Sequence, residues 1–296
     1  MTAAQAILSG EQSYENLSVF SDAERETLYF SMNVRPRPCF TWDLLRDFLA
    51  FQERLIQSLR LETLRPRCLV YASETPHVFS LGGDLSLFKL AIETKDRAML
   101  TRYADDCVNA LHNHITTPEL VTVSLLEGDA LGAGLETALG SDVIIAERGV
   151  RAGFPEVLFN LIPGHGAFHL VARRVGPQMA EKMIRSGTVY TAEELHALGL
   201  FDIIVDRGEG RRAVRELIQS QKKSWNAYRA LQHVKRRHAP VTREMLQANA
   251  EIWVDAAMNL TDRDLRMMER LVRAQDKRTG IVETGRTEAP LQQTAA

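Results

Sequence analysis

Two acidic residues, Glu136 in a segment of small residues and Glu156 after Phe154-Pro155, are candidates for acid–base chemistry. Gly82 and Gly83 form a separate small-residue turn, and residues 128–136 form the segment that ends at Glu136. Small residues at a turn or at the start of a helix leave backbone N–H groups accessible. Two such groups can hold a carbonyl oxygen that gains charge in a transition state, and one donor is commonly worth about 3 kcal/mol of barrier. Carboxyl groups nearby would then move protons at neighbouring carbons, which contributes roughly 10²–10⁴-fold.

Each of these features has a simpler interpretation when it is taken alone. Paired glycines at 82–83 are most often an ordinary turn. Glu136 is compatible with a solvated helix surface, although its neighbours are apolar, and Glu156 after a proline is compatible with a helix cap. Their combination and order along the chain favour a carbonyl-activating site.

The composition is that of a globular protein. The chain has 296 residues, 36 Lys and Arg against 38 Asp and Glu, a net charge of −2 and 45% hydrophobic residues, which excludes a disordered or fibrous chain. The balanced charge argues against a general attraction to nucleic acid or to membranes. No apolar run approaches the ~18 residues of a membrane span, and no signal peptide is visible at the start. We therefore expect a soluble, cytoplasmic protein with no membrane contact.

Apolar runs alternate with helical patterns along the first two thirds of the chain. Short apolar runs without polar alternation suit parallel strands, and Thr41 is a plausible N-cap for a helix that ends near Arg60. Residues 95–115 also have a helical pattern, and a further helix is expected to open near Ala130. The expected strands are residues 27–33, 68–72, 119–126, 142–146 and 202–205. Strands that alternate with helices predict an α/β fold.

The pattern divides the chain into two main parts. We predict a catalytic core with an N-terminal extension over residues 14–210 and a helical region over residues 211–283. Residues 1–13 and 284–296 are predicted to be flexible tails, because they lack apolar periodicity. The last helical stretch, residues 242–277, is strongly apolar. Such a stretch packs on a partner subunit or on the core of its own chain, and the sequence leaves both possibilities open.

The cysteines and histidines show no disulfide or metal-binding pattern. His112 and His114 would point in different directions on a helix, whereas His165 and His169 would share a face but have no accompanying set of ligands. We therefore predict that the protein has no metal and no cofactor. Three cysteines far apart in the chain are expected to be buried free thiols: Cys39, Cys68 and Cys107.

Three motifs in order resemble the crotonase (enoyl-CoA hydratase/isomerase) superfamily. They are FSLGGD at 79–84, EGDALGAGLETALGSDVIIA at 127–146 and AGFPEVLFNLIPGHGA at 152–167, and the resemblance covers about residues 67–205. It implies a spiral of ββα units with C-terminal helices that mediate trimers or pairs of trimers.

The same resemblance implies roles for individual residues. The N–H groups of Gly83 and Ala133 would polarise a thioester carbonyl. Hydratases of this superfamily use two glutamates, which match Glu136 and Glu156, and many relatives with other reactions lack one of them. Retention of both therefore favours addition or removal of water across C2–C3 of an acyl thioester.

A narrower resemblance is to the diffusible signal factor synthases of Gram-negative bacteria, which make cis-2-unsaturated fatty acids for quorum sensing. It rests on residues 29–41, with their Pro-Arg-Pro-Cys-Phe element, and on the sequence Pro-Gly-His-Gly-Ala at 163–167. It implies dehydration of a 3-hydroxyacyl chain on acyl carrier protein, followed by hydrolysis of the cis-2-enoyl thioester. By analogy with hydratases, Glu156 would remove the α-proton and Glu136 would protonate the departing hydroxyl.

The resemblance also suggests residues that bind the acyl chain. Gly82, Leu131 and Gly132 flank the proposed oxyanion turn, and a tryptophan at the position of Trp253 lines the acyl pocket in the resembled family. A tryptophan of the core or of a subunit interface is an equal alternative for Trp253.

Partners are less well determined than the reaction. Residues 219–238 carry six Lys or Arg and no acidic residue. This stretch is a solvated helix face, an anchor for acyl carrier protein or its phosphopantetheine phosphate, or, least expected, a nucleic-acid contact. The alternative functions are an ordinary enoyl-CoA hydratase of fatty-acid oxidation and a crotonase-fold binding protein for a sensor histidine kinase.

Overall fold

The structure is a computed structural model that describes residues 14–22, 24, 26–117 and 119–279. The predicted tails at 1–13 and 284–296 lie outside the described residues. The strands are β1 (Leu17–Asp22), β2 (Thr27–Met32), β3 (Cys68–Ser73), β4 (Val78–Ser80), β5 (Val121–Leu126), β6 (Asp129–Leu131), β7 (Val143–Glu147), β8 (Arg151–Gly153), β9 (Val189–Thr191) and β10 (Ile203–Val205).

The helices account for most of the remaining chain. They are α1 (Trp42–Arg60), α2 (Leu85–Glu93), α3 (Arg97–Ile115), α4 (Ala133–Leu139), α5 (Ala167–Val175), α6 (Pro177–Ser186), α7 (Ala192–Ala197), α8 (Gly210–Ser220), α9 (Trp225–His238), α10 (Arg243–Met258) and α11 (Asp262–Thr279), with 3-10 helices at Pro155–Phe159 and Lys222–Ser224.

The strands form two sheets, and the α/β prediction is confirmed. The larger sheet has the order β1-β2-β3-β5-β7-β10 and the smaller one β4-β6-β8-β9. Apart from the antiparallel pairs β1–β2 and β8–β9, neighbouring strands are parallel. Three successive units, which start at β3, β5 and β7, each give one strand to each sheet and then turn into a helix. This is the ββα spiral that the resemblance implies.

Local signals placed the first long helix correctly. Thr41 caps α1, because its side chain accepts a hydrogen bond from the Leu44 N–H. Leu44, Phe48 and Phe51 are among the residues that α1 buries in the main core. A polar N-cap followed by an apolar stripe is enough to define such a helix.

Two helix boundaries differ from the prediction. The helix expected near Ala130 begins at Ala133, since residues 129–131 pair as β6 with β4 and β8. The stretch 242–277 is divided into α10 and α11, because the chain turns at residues 259–261. Both differences come from tertiary contacts that sequence periodicity does not report.

The C-terminal helices fold back on the core of their own chain. Helix α10 packs on α3, and α11 packs on α2 and on the 3-10 helix Pro155–Phe159. These contacts decide how the apolar residues of this region are buried, while assembly into trimers stays a prediction. None of the helices in the described ranges has the length and hydropathy that a membrane span needs.

Candidate active site

The two small-residue turns meet because β4 and β6 lie side by side. Val78 pairs with Asp129 and Ser80 with Ala130 in the parallel ladder, so the residues that follow each strand are neighbours. Gly82 has φ +97°, and a Cβ there would lie 2.9 Å from the Leu131 carbonyl oxygen. Glycine therefore allows this close approach, which larger residues would prevent.

Each turn presents one backbone N–H to the same space. Ala133 is the first residue of α4, where no intrahelical acceptor exists. Residues around Gly83 are held by other bonds: the Phe40 N–H donates to the Gly82 carbonyl at 2.8 Å, and the Tyr103 hydroxyl donates to the Phe40 carbonyl at 2.6 Å. Within the described ranges, the N–H groups of Gly83 and Ala133 have no acceptor in the protein.

A cavity of about 40 Å³ lies at the junction of the two turns. It brings together both candidate glutamates and both N–H groups, and C-terminal residues complete its wall. The lining residues that the sequence singled out are Gly82, Gly83, Gly132, Ala133, Glu136, Glu156, His165 and Trp253. This volume holds only one or a few water molecules.

Glu136 is buried and firmly held. Its Oε1 accepts hydrogen bonds from the backbone N–H groups of His165, at 2.8 Å, and Ala167, at 2.9 Å. Its Oε2 lies 3.4 Å from the His165 Nδ1. An ionised carboxylate is an acceptor only, so this set of donors matches its chemistry.

Glu156 is part-buried as a residue, and its enclosed carboxyl group lacks such partners. Its Oε2 has no hydrogen-bond partner in the described structure. Burial raises the pKa of Glu156 to about 8, with a further upward contribution from the neighbouring Glu136 and smaller downward contributions from a backbone hydrogen bond and from His165. At neutral pH the side chain is therefore a protonated acid.

Gly132 allows Glu156 to approach the turn. It has φ +51°, and a Cβ at this position would lie 2.2 Å from the Glu156 Oε1. Any larger residue would push the carboxyl group away from the turn that carries the Ala133 N–H.

His165 is a cavity residue that sequence reasoning considered only as a metal ligand. Its Nε2 is buried and has no hydrogen-bond partner in the described structure. Burial lowers its pKa, but the neighbouring Cys107 and Glu136 raise it more, so the net shift of the pKa is upward. The sequence signal was the histidine in Pro-Gly-His-Gly-Ala, where hydratases commonly have a small residue.

The metal interpretation gains no support from the geometry. His169 lies on α5, whereas His165 precedes that helix. Across the part of the chain that the structure describes, no group of three or more His, Cys, Asp or Glu side chains is placed to hold a metal ion. Cys39, Cys68 and Cys107 are buried free thiols.

Trp253 and Leu131 have different positions relative to the cavity. Trp253 lines it, with its ring 4.9 Å from that of Phe88 in an edge-on arrangement. The Leu131 side chain instead packs with Val78 and Leu81 in a separate small cluster, and only its carbonyl lies near the turn. Apolar wall residues that the sequence did not single out are Leu85, Phe88, Phe159, Leu161 and Leu271.

The fold and cavity together define an α/β protein in which two turns with free backbone N–H groups and two carboxyl groups line one cavity. A family model described as enoyl-CoA hydratase/isomerase matches residues 50–282. The chain belongs to this family.

Several known proteins are similar to this chain. Enoyl-CoA isomerase/hydratase fer4 of Mycosarcoma maydis is 31% identical over 205 residues, which cover 67% of this chain and 73% of that protein. Methylglutaconyl-CoA hydratase of Rattus norvegicus is 26% identical over 59% of this chain, and the matched region spans about half, 54%, of that relative.

Solved structures match a larger part of the chain. The structure of Pseudomonas aeruginosa DspI is 26% identical with a TM-score of 0.65, covering 92% of this chain and 95% of that one. Enoyl-CoA hydratase from Bacillus halodurans has a TM-score of 0.73 at 19% identity, covering 86% of this chain and 100% of that one, which supports the fold.

Proposed function

We propose that this protein adds or removes water across C2–C3 of an acyl thioester. One observation carries the proposal: a protonated Glu156 and a hydrogen-bonded Glu136 line the same cavity as the free N–H groups of Gly83 and Ala133. An α-proton next to a thioester becomes acidic when the developing enolate oxygen is held by preset donors. The two carboxyl groups then exchange protons with C2 and with the oxygen at C3.

The finer proposal is a diffusible signal factor synthase that dehydrates 3-hydroxyacyl-acyl carrier protein and hydrolyses the cis-2-enoyl thioester. Two features support it. The Pro-Arg-Pro-Cys-Phe segment is hydrogen-bonded directly to the turn at Gly82. The Phe40 N–H donates to the Gly82 carbonyl and the Leu81 N–H donates to the Pro38 carbonyl, both at 2.8 Å. His165 of the second distinctive element lines the cavity.

A protonated Glu156 matches the starting state of the hydration direction. The free site holds the proton on Glu156, which is the starting state for water activation by Glu136 and protonation of C2 by Glu156. Dehydration with the roles expected from hydratases begins with the proton on Glu136. An ordinary enoyl-CoA hydratase is therefore the second candidate, and the hydratase name of the rat relative agrees with it.

Substrate entry requires movement of the cavity wall. A space of about 40 Å³ does not hold an acyl chain of several carbons. Trp253 of α10 and Leu271 of α11 are wall residues on the helices that close over the turn. We propose that these helices shift to admit the acyl chain.

The test is mass spectrometry of the products formed by purified protein from 3-hydroxydodecanoyl-acyl carrier protein. Free cis-2-enoic acid supports the synthase. An enoyl thioester that is not released, together with rapid hydration of trans-2-enoyl-CoA, identifies an ordinary hydratase. The absence of both reactions contradicts the enzymatic proposal and supports the alternative of a binding protein for a sensor kinase.

The assembly, the location and the binding partner of the protein are also proposals. We propose a homotrimer or hexamer in the cytoplasm, with the exposed Lys222, Lys223 and Arg237 as contacts for acyl carrier protein. Light scattering gives the mass of the assembly. Titration of carrier protein at low and high salt tests whether charge drives its binding, with RNA as the competing polyanion.

A further inference from the structure

His165 is held in one orientation by Glu136. Its backbone N–H donates to Oε1 at 2.8 Å, and its Nδ1 lies 3.4 Å from Oε2 of the same carboxylate. The side chains of His165 and Glu136 are 8% and 1% exposed, so bulk water does not compete for this contact. A carboxylate next to Nδ1 orients the imidazole and stabilises its protonated form.

The other ring nitrogen is free to react. Nε2 of His165 is buried without a partner in the described structure, and the ring is part of the cavity wall that also contains Gly83 and Ala133. When Nδ1 carries the proton shared with the carboxylate, Nε2 is a proton acceptor. A carboxylate, an imidazole and two N–H donors are the parts that acyl-transfer sites use around a carbonyl carbon.

We propose that His165 is the general base that activates water for hydrolysis of the thioester. This inference rests on the proposed signal synthase function, whose two reactions occur at different carbons. Glu136 and Glu156 act at C2 and C3 during dehydration, whereas hydrolysis requires attack on C1. His165 therefore supplies a base for the second reaction at the carbonyl carbon that the turn holds.

The hydrolytic step balances without any further reactant. The oxygen of water forms a bond with C1 while its proton moves to Nε2 of His165, and the oxyanion is held by the Gly83 and Ala133 N–H groups. Collapse of this intermediate breaks the C–S bond, and the departing thiolate takes the proton from Nε2. The products are a free fatty acid and the thiol of the carrier, and the imidazole is regenerated.

Titratable groups from several elements face the imidazole. Cys107 and Tyr103 approach from α3, Glu136 from α4 and Glu156 from the 3-10 helix Pro155–Phe159, while Trp253 of α10 contributes no charge. Since the pKa of His165 is raised, its neutral form grows as pH increases. The ionised form of Glu156, which removes the α-proton in dehydration, also increases as pH rises towards about 8. The pH test is therefore made on hydrolysis of a preformed cis-2-enoyl thioester, which bypasses dehydration, and its rate should rise with pH.

The experiment compares His165→Asn with His169→Asn. Hydrolysis is measured directly on a synthetic cis-2-enoyl thioester and dehydration on the 3-hydroxyacyl thioester. Asparagine retains a donor towards Glu136 but lacks a base at Nε2. We expect hydrolysis to fall roughly 10²–10⁴-fold in His165→Asn, with a smaller loss of dehydration. His169 is half-buried on α5 away from the cavity, so its variant should behave as the wild type.

Two further measurements keep the outcome interpretable. Free imidazole should restore hydrolysis in His165→Ala, because the truncation opens space next to Glu136. In the wild type, hydrolysis of the cis-2-enoyl thioester should increase with pH, and in His165→Asn this increase should be absent.

The possible failures are distinguishable. Equal hydrolysis by wild type and folded His165→Asn overturns the role of His165 and leaves the synthase proposal intact. A wild-type rate of cis-2-enoyl thioester hydrolysis that is independent of pH overturns it as well, even if the variants do not fold. A wild-type protein that never releases free acid contradicts the synthase proposal itself, and with it this inference.

Discussion

An acidic side chain lies near each end of helix α4, and the two side chains differ in their partners. At its N-terminal end, Glu156 lies against Gly132 with an unpartnered Oε2 and a pKa raised to about 8. Past its C-terminal end, Asp142 is 4% exposed and lies against Arg236, whose Nε is 2.7 Å from Oδ1 and whose Nη2 contacts Oδ2. The Thr122 N–H also donates to Asp142 at 2.9 Å.

The difference lies in the partners and not in burial. A buried carboxyl without a cation keeps its proton, and it is then able to give or take one during a reaction. A buried carboxylate in a bidentate pair with arginine holds elements of the fold together. Arg236 belongs to the basic stretch 219–238, so part of that stretch has a structural role that the sequence could not show. The same helix therefore separates a reactive acid from a structural one.

The largest expected effect is the loss of catalytic rate when either cavity glutamate is replaced. Glu136→Gln and Glu156→Gln should each lower dehydration and hydration by roughly 10²–10⁴-fold, because the amide cannot transfer the proton. Circular dichroism should show an unchanged fold. Glu127→Gln is the matched control, since Glu127 is part-buried but does not line the cavity. Wild-type rates in both cavity variants would contradict the mechanism.

Substitution of Asp142, at the other end of α4, should lower the free energy of unfolding. Asp142→Asn leaves Arg236 without its counter-charge, and breaking a buried pair typically costs about 3–5 kcal/mol. Urea unfolding measures this loss, while the rate per folded molecule should stay near that of the wild type. The exposed pair Arg97–Asp255 serves as the control, because disrupting it should cost less than about 1 kcal/mol. Similar losses at the two pairs would remove the distinction between them.

A pH series tests the proton on Glu156. Its folded-state pKa of about 8 exceeds the ordinary unfolded value near 4.3, so the folded state binds more protons between these limits. The contribution of Glu156 to stability is complete below the unfolded pKa and is lost as pH rises towards about 8. The free energy of unfolding should therefore fall by up to about 1.4 kcal/mol per pH unit relative to Glu156→Gln. Parallel curves for the two proteins would show that Glu156 is ionised in the fold.

The smallest expected effect is at the glycine that admits Glu156. In Gly132→Ala, backbone strain should cost about 1–2 kcal/mol, and displacement of the carboxyl group should reduce kcat about tenfold. Gly208→Ala is matched for strain, since Gly208 has φ +84° and no atom within 4 Å of its added Cβ. Equal kcat values for the two variants would show that the contact between Gly132 and Glu156 does not matter for catalysis.

The predictions from sequence succeeded where the signal was local. Helix α1 followed from Thr41 and an apolar stripe, and the strands of the larger sheet other than β1 followed from runs such as residues 119–126. Strand β1 and the short strands β6, β8 and β9 were not predicted, and each of the three short ones is a strand only through its partners. The Leu131 side chain turned away from the cavity for the same reason.

The sequence by itself determined the reactive types: two glutamates, the small residues that allow close backbone approach, and the order of motifs that indicates a ββα spiral. Tertiary structure decided which groups meet. Pairing of β4 with β6 joined the two turns, and the return of α10 placed Trp253 in the wall. It also decided which glutamate holds the proton, because a pKa depends on burial and on neighbouring charges that come from distant parts of the chain. His165 became a candidate base only beside Glu136, 29 positions earlier in the chain.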